Sequence, residues 1–79
     1  MPALPDDDDW LNERRRALGE RIRAERLHQN LTQERLHLAA GISRDTLQAI
    51  EAGRGNPTIT KLLRIARVLD VPLARLLEE

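Results

Sequence analysis

The sequence has no cysteine, phenylalanine or tyrosine, and Trp10 is its single tryptophan. Without cysteine there can be no disulfide and no thiolate metal site. With one large aromatic, the core must be built from Leu, Ile, Val and Ala. No uninterrupted apolar run is longer than a few residues, which excludes a transmembrane span, a signal peptide or a lipid anchor. An excess of either charge is also missing: 13 Lys and Arg stand against 13 Asp and Glu, a formal net charge of zero. Taken alone, that balance argues against a polyanion as partner. At 79 residues the chain has room for one small domain, which buries about 60% of the surface its unfolded form exposes. A large enzyme fold or an attached sensing domain is not expected. The expectation is a soluble cytoplasmic protein.

The zero is a sum over an uneven chain. Four acids are consecutive, Asp6 to Asp9, and residues 1–9 contain no base, so the remainder carries 13 bases against 9 acids, or +4. Over residues 14–77 the balance is 13 against 6, or +7. An acidic leader conceals a basic body.

What is present is helical patterning. Residues 1–8, with two prolines and the start of the acid run, read as a flexible acidic tail preceding a single domain over 9–79. Trp10, Leu11, Ala17, Leu18, Ile22 and Leu27 recur near the helical period and predict a first helix over 9–29, with Asp8 or Asp9 as its N-cap. Thr32 caps a second helix, 33–40, which Gly41 ends in the manner of a left-handed residue. Ile42 alone separates Gly41 from the next cap, Ser43, which starts a third helix, 44–51. Two glycines and a proline make 53–57 a loop. Thr58 caps a fourth helix, 59–69, with Ile59, Leu62, Ile65, Ala66 and Leu69 inward. Pro72 starts a fifth, 73–77. No segment alternates with the period of a strand. The fold class is all-α, a compact five-helix domain.

Within it, residues 32–51 form a helix, a short glycine-containing turn and a second helix. A turn this short fixes the pair at a steep angle, as in the DNA-binding helix-turn-helix. Leu47 and Ile50 anchor the second helix, and Arg44, Asp45 and Gln48, with Ala49 at the edge, face outward, where they can enter a major groove. The guanidinium of Arg44 can bridge guanine O6 and N7, or meet only a phosphate. Asp45 can accept from a cytosine amine, orient Arg44, or simply favour the helix N-terminus. Gln48 can reach a base edge or a phosphate, or be an ordinary exposed glutamine.

The order of these segments resembles the lambda-repressor/Cro-like helix-turn-helix family, also called the xenobiotic-response-element type. The matching stretches are Leu18-Gly19-Glu20-Arg21-Ile22-Arg23 and Leu31-Thr32-Gln33-Glu34-x-Leu36, then Ala40-Gly41-Ile42-Ser43-Arg44-x-Thr46-Leu47. They continue through Ile50-Glu51-x-Gly53-Arg54-x-Asn56-Pro57 to Leu62-Leu63-x-Ile65-Ala66 and Leu69, ending at Leu76-Leu77. The resemblance spans residues 18–77. It implies that Gln33 contacts a phosphate and braces the third helix, and that Arg44 and Asp45 are base readers. It places Ala49 one turn on, against a base edge or thymine methyl. Ser43 lies in the same stretch, at the start of the reading helix. Thr46, Arg54, Asn56, Thr58 and Lys61 match phosphate-contacting positions, and Arg26 and Glu51 a structural ion pair. The family's dimer contact points to Val71, Leu73, Arg75 and Glu78.

Two departures stand out. His37 takes the place of the family's small residue at the crossing of the two helices, so its ring must spread them or turn away. The acidic leader replaces any basic arm that could wrap DNA.

The resulting expectation is a homodimeric, sequence-specific regulator of transcription, a repressor that binds a palindromic operator on double-stranded DNA and is nucleoid-associated when bound. The alternative is a protein-interaction module: an antitoxin-type partner-binding protein, autoregulatory or not, or a restriction-modification controller. Trp10 either packs the first helix onto the body or anchors a second protein, and the Asp run is either solvated or folds back onto the basic face or Arg14-Arg15-Arg16. No enzyme activity is expected: His28 and His37 lie on different helices, and Gly53-Arg54-Gly55 lacks the Lys-Ser/Thr and preceding strand of a phosphate-cradling loop. No metal, cofactor, small-molecule ligand or membrane is expected either.

Overall fold

Five helices follow one another in a computed structural model that describes residues 7–78: α1 (Asp7–His28), α2 (Gln33–Ala40), α3 (Arg44–Glu51), α4 (Ile59–Leu69) and α5 (Leu73–Leu76). The described residues contain no strand. Three of the helices start on a hydroxyl, as expected. Thr32 Oγ1 accepts from Arg35 N at 3.0 Å, Ser43 Oγ from Thr46 N at 3.0 Å, and Thr58 Oγ1 from Lys61 N at 3.2 Å. Each satisfies a donor that the helix leaves unpaired at its start.

The turn between α2 and α3 is fixed by backbone bonds. Gly41 is left-handed, with φ 68°, which costs glycine nothing. Its N–H donates to Leu38 O at 3.3 Å and the Ile42 N–H donates to His37 O at 3.1 Å, closing the end of α2. Ile42 then drops into the core as Ser43 opens α3. Asn30 and Asp70 are left-handed at the ends of α1 and α4; their short polar side chains tolerate that conformation.

Ile22, Leu36, Leu47, Ile65 and Leu69 are fully buried at the centre, with Ile42, Ile50, Leu62 and Leu76 around them. Gly19 is buried where α1 crosses the end of α3, and a methyl group there would overlap the carbonyl oxygens of Ile50 and Glu51. The sequence motif Leu18-Gly19 is therefore a backbone-to-backbone crossing rather than a helix fault.

Several expectations change. The first helix starts at Asp7, so Asp8 and Asp9 lie inside its first turns and neither is the cap; their carboxylates complement the positive helix end instead. In a helix they cannot fold back onto Arg14–Arg16 of the same helix. Asp6 and the rest of the 1–6 leader lie outside the described residues. The apolar stripe read along α1 is also corrected. Trp10 is 55% exposed and Leu27 48%, so neither belongs to the buried stripe. The true inward stripe is Leu18, Gly19, Ile22 and Arg26, two of whose members carry no apolar signal. Ile59 is exposed, because its place in the first turn of α4 has nothing packed over it. α1 and α5 end one residue earlier than expected.

Replacing Gly19 with Ala should lower stability by about 1–3 kcal/mol through overpacking, read as a drop in the urea midpoint with an unchanged slope.

Candidate nucleic-acid interface

The position of α3 is set by a buried ion pair. Arg26 Nε donates to Glu51 Oε2 at 2.8 Å and Arg26 Nη2 to Glu51 Oε1 at 2.9 Å, a bidentate pair with both side chains buried. Arg26 Nη1 donates to Leu31 O at 2.9 Å, and Gln33 Nε2 donates to Glu51 Oε1 at 3.1 Å. One carboxylate thus ties the last residue of α3 to α1 and to the first residue of α2. No buried side-chain donor or acceptor among the described residues lacks a partner, which such a pair requires.

On this mount α3 presents its other face. Arg44 and Asp45 are exposed, and neither makes a hydrogen bond or ion pair with any described residue. Asp45 therefore does not orient Arg44. Thr46, Gln48 and Ala49 are half-buried along the same side. Ser43 is committed at both ends: it caps α3 and donates its own proton to Thr46 Oγ1 at 2.8 Å. The Thr46 hydroxyl proton is left to point elsewhere, and Ser43 itself remains exposed.

Behind α3 lies a notch of about 150 Å³ that brings Thr46, Ala49, Arg54, Asn56 and Lys61 together, with Ile50, Gly55 and Pro57 as its walls. The loop that makes this notch packs on α1. A Cβ on Gly53 would lie 2.9 Å from Arg16 Cα, an approach open only to glycine, and Arg15 Nη2 donates to Asn56 Oδ1 at 2.7 Å. That bond joins residues 41 positions apart, and nothing in the sequence pattern signals it. Thr58 caps α4, whose first turn carries no acid. Arrangements of this kind, with exposed donors on a projecting helix flanked by hydroxyls, an amide and cations, suit a polyanion read from its groove.

The His37 ring stays against the body, half-buried. Its Nδ1–H donates to Ile42 O at 3.1 Å, turning the half-buried ring along the turn. Val71 and Leu73 are half-buried against the core, while Arg75 and Glu78 are exposed. Trp10 is remote from the notch in sequence and half exposed, and Leu11 and Leu77 are exposed as well. No group of three or more His, Asp or Glu side chains among the described residues is placed to hold a metal. No described helix is long and apolar enough to cross a membrane.

Comparison with known proteins points the same way. A family model described as helix-turn-helix matches residues 22–76. An uncharacterized HTH-type transcriptional regulator, y4dJ of Sinorhizobium fredii, is 35% identical over 57 residues, covering 72% of this chain and 74% of that protein. Among solved structures, the restriction-modification controller protein C.AhdI from Aeromonas hydrophila superposes with a TM-score of 0.76 at 29% identity, over 78% of this chain and 94% of that one. The biofilm master regulator SinR, solved in complex with DNA, gives 0.73 at 32% identity, over 77% and 98%.

Removing the acceptor of the buried pair, Glu51→Ala, should cost about 3–5 kcal/mol, because Arg26 is left charged and buried. Gln33→Ala should cost far less, about 1 kcal/mol. Thermal melts of the two variants check the ranking.

Proposed function

The chain belongs to the helix-turn-helix family of DNA-binding transcriptional regulators, of the lambda-repressor/Cro-like type, and from that premise we propose that it is a repressor that binds a palindromic operator as a homodimer through α3. As a member of that family it binds double-stranded DNA and is not an enzyme. The observation that carries the finer reading is the exposed, unpaired Arg44 at the start of a helix whose other face is locked into the core.

In this reading α3 enters the major groove, and Arg44 donates two hydrogen bonds to guanine O6 and N7. Asp45 sits beside it and accepts from a cytosine amine. Gln48 and Ala49 meet the next base edges. Thr46, Arg54, Asn56 and Lys61 hold the backbone at the notch, and Thr58 and Gln33 do so at the starts of α4 and α2, where free backbone N–H groups add to the site. One reading helix offers too few contacts for tight binding, and a two-fold dimer that reads half-sites about 34–36 Å apart supplies the rest. Val71, Leu73, Arg75 and Glu78 are the expected dimer contact.

A second reading has its own support. The likeness to C.AhdI covers 94% of that chain, which fits a restriction-modification controller. Exposed Trp10 fits a further protein partner, as in an antitoxin. Co-purification of a second protein that Trp10→Ala releases would favour the partner-binding form.

Selecting bound duplexes from a random pool tests the main reading, which expects an inverted repeat with half-sites one turn apart. Arg44→Ala should cost about 1–3 kcal/mol and relax base choice at one position per half-site. Lys61→Ala should weaken binding to all duplexes and make the log–log salt slope shallower by about one unit. An asymmetric motif, or variants that bind as the parent does, would overturn it.

A further inference from the structure

We propose that Arg15, on the N-terminal extension of α1, is a DNA-backbone contact outside the helix-turn-helix and that it also fixes which way Asn56 presents its amide donors. The inference rests on the DNA-binding reading above and extends its footprint to a residue that neither the motif nor the family resemblance marks.

The geometry begins with what Arg15 touches. Its Nη2 donates to Asn56 Oδ1 at 2.7 Å and its Nη1 to Asn12 Oδ1 at 3.1 Å, and the side chain is half-buried. Both acceptors are neutral, so the guanidinium is held in place without its charge being cancelled. Arg15 forms no ion pair with any described residue, and the same holds for Arg54 and Lys61. Three cations therefore gather around one loop. Arg54, Lys61 and Asn56 line the notch, and Arg15 is bonded to its rim. Uncompensated like charges around one loop oppose one another, and an anion seated among them relieves the repulsion.

The bond to Asn56 also has a direction. A guanidinium can only donate, so Asn56 must turn its carbonyl oxygen towards Arg15. Its amide nitrogen, with two donors, then points away from Arg15. Arg15 keeps three N–H donors beyond the two in use. The pair presents donors and positive charge and no free carboxylate, which matches a phosphodiester oxygen. The close packing of Gly53 on the Arg16 backbone holds α1 against the loop, so this arrangement is in place before DNA arrives.

The test uses the full chain with Arg15→Ala, Arg15→Gln and Arg15→Lys, the selected operator and an unrelated duplex. It reads Kd against salt and, phosphate by phosphate, interference by ethylation. Arg15→Ala should bind both duplexes on the order of tenfold more weakly, with a log–log salt slope shallower by about one. It should also lose interference at a phosphate other than the one lost in Lys61→Ala. Arg15→Gln, which can still donate to Asn56 and guards against a misfolded Ala variant, should show the same loss of slope. Arg15→Lys should keep the slope. If Ala and Gln variants with parental melting curves retain the parental slope and interference pattern while Lys61→Ala behaves as above, Arg15 is not a backbone contact and the wider reading stands. If the parent protein itself shows no salt-dependent binding to either duplex, both fall.

Discussion

Everything on the outer face of α3 depends on the carboxylate of Glu51. It closes α3, and it accepts from Arg26 on α1 and Gln33 on α2. Three helices are thereby tied to one carboxylate, which sets α3 against α1 and α2. Desolvating two charges is expensive, and a well-packed apolar pair could match the net stability. What an apolar pair cannot match is direction: a bidentate guanidinium–carboxylate contact fixes angles as well as distance. That distinction matters for the base reading proposed for α3, where a displacement of a fraction of a hydrogen-bond length removes the contact. The crossing of Gly19 beneath the carbonyls of Ile50 and Glu51 adds a steric stop at the same end of α3. The opposite end is held by Ser43, which caps the helix and orients Thr46.

Most of the fold was legible because its punctuation is local. Thr32, Ser43 and Thr58 act through bonds to residues three positions on, and Gly41 through its own φ, so each announces itself in a few letters. Burial on α3 and late α4 was legible for a related reason: short helices with one apolar side leave a single choice of inward face. α1 was misread where its inward stripe passes through Gly19 and Arg26, residues whose burial follows from a partner elsewhere in the chain. Arg26 was recoverable through the family resemblance, and Gly19 fell in a matching stretch without its role being evident. Leu27 and Ile59 fall on the apolar period and are exposed, because period says nothing about whether another helix lies opposite. His37 shows the same limit from the other side. Its letter suggests a clash, and its ring lies half-buried along the turn, donating to the Ile42 carbonyl.

The candidate site divides along the same line. Arg44 and Asp45 are exposed by their place just after a cap, which the sequence displays. The notch is not displayed: it joins the middle of α3, the 53–57 loop and the first turn of α4, and its outer support comes from Arg15, 41 residues before Asn56. Long-range bonds between exposed polar residues leave no periodic trace, so no reading of apolar pattern could have found them.

The balance of 13 acids and 13 bases gains its meaning from place. Glu51 is neutralised inside the body by Arg26. Asp8 and Asp9 lie in the first turns of α1, where the helix end stabilises them. From Asp8 to Arg15 the helix rises roughly 10 Å, about one Debye length at ordinary salt. Arg15, Arg54 and Lys61 can therefore keep a local positive potential although the total is zero. A rigid helix is what permits this. Were the same acids on a flexible strand, they would collapse onto the nearest guanidinium groups and screen them. Held in α1, they are kept on the far side of Arg15, and they end the attractive surface instead of cancelling it. Net charge, a sum that ignores geometry, is the wrong quantity from which to judge an affinity for phosphate; the relevant one is the charge within a Debye length of the helix proposed to enter the groove.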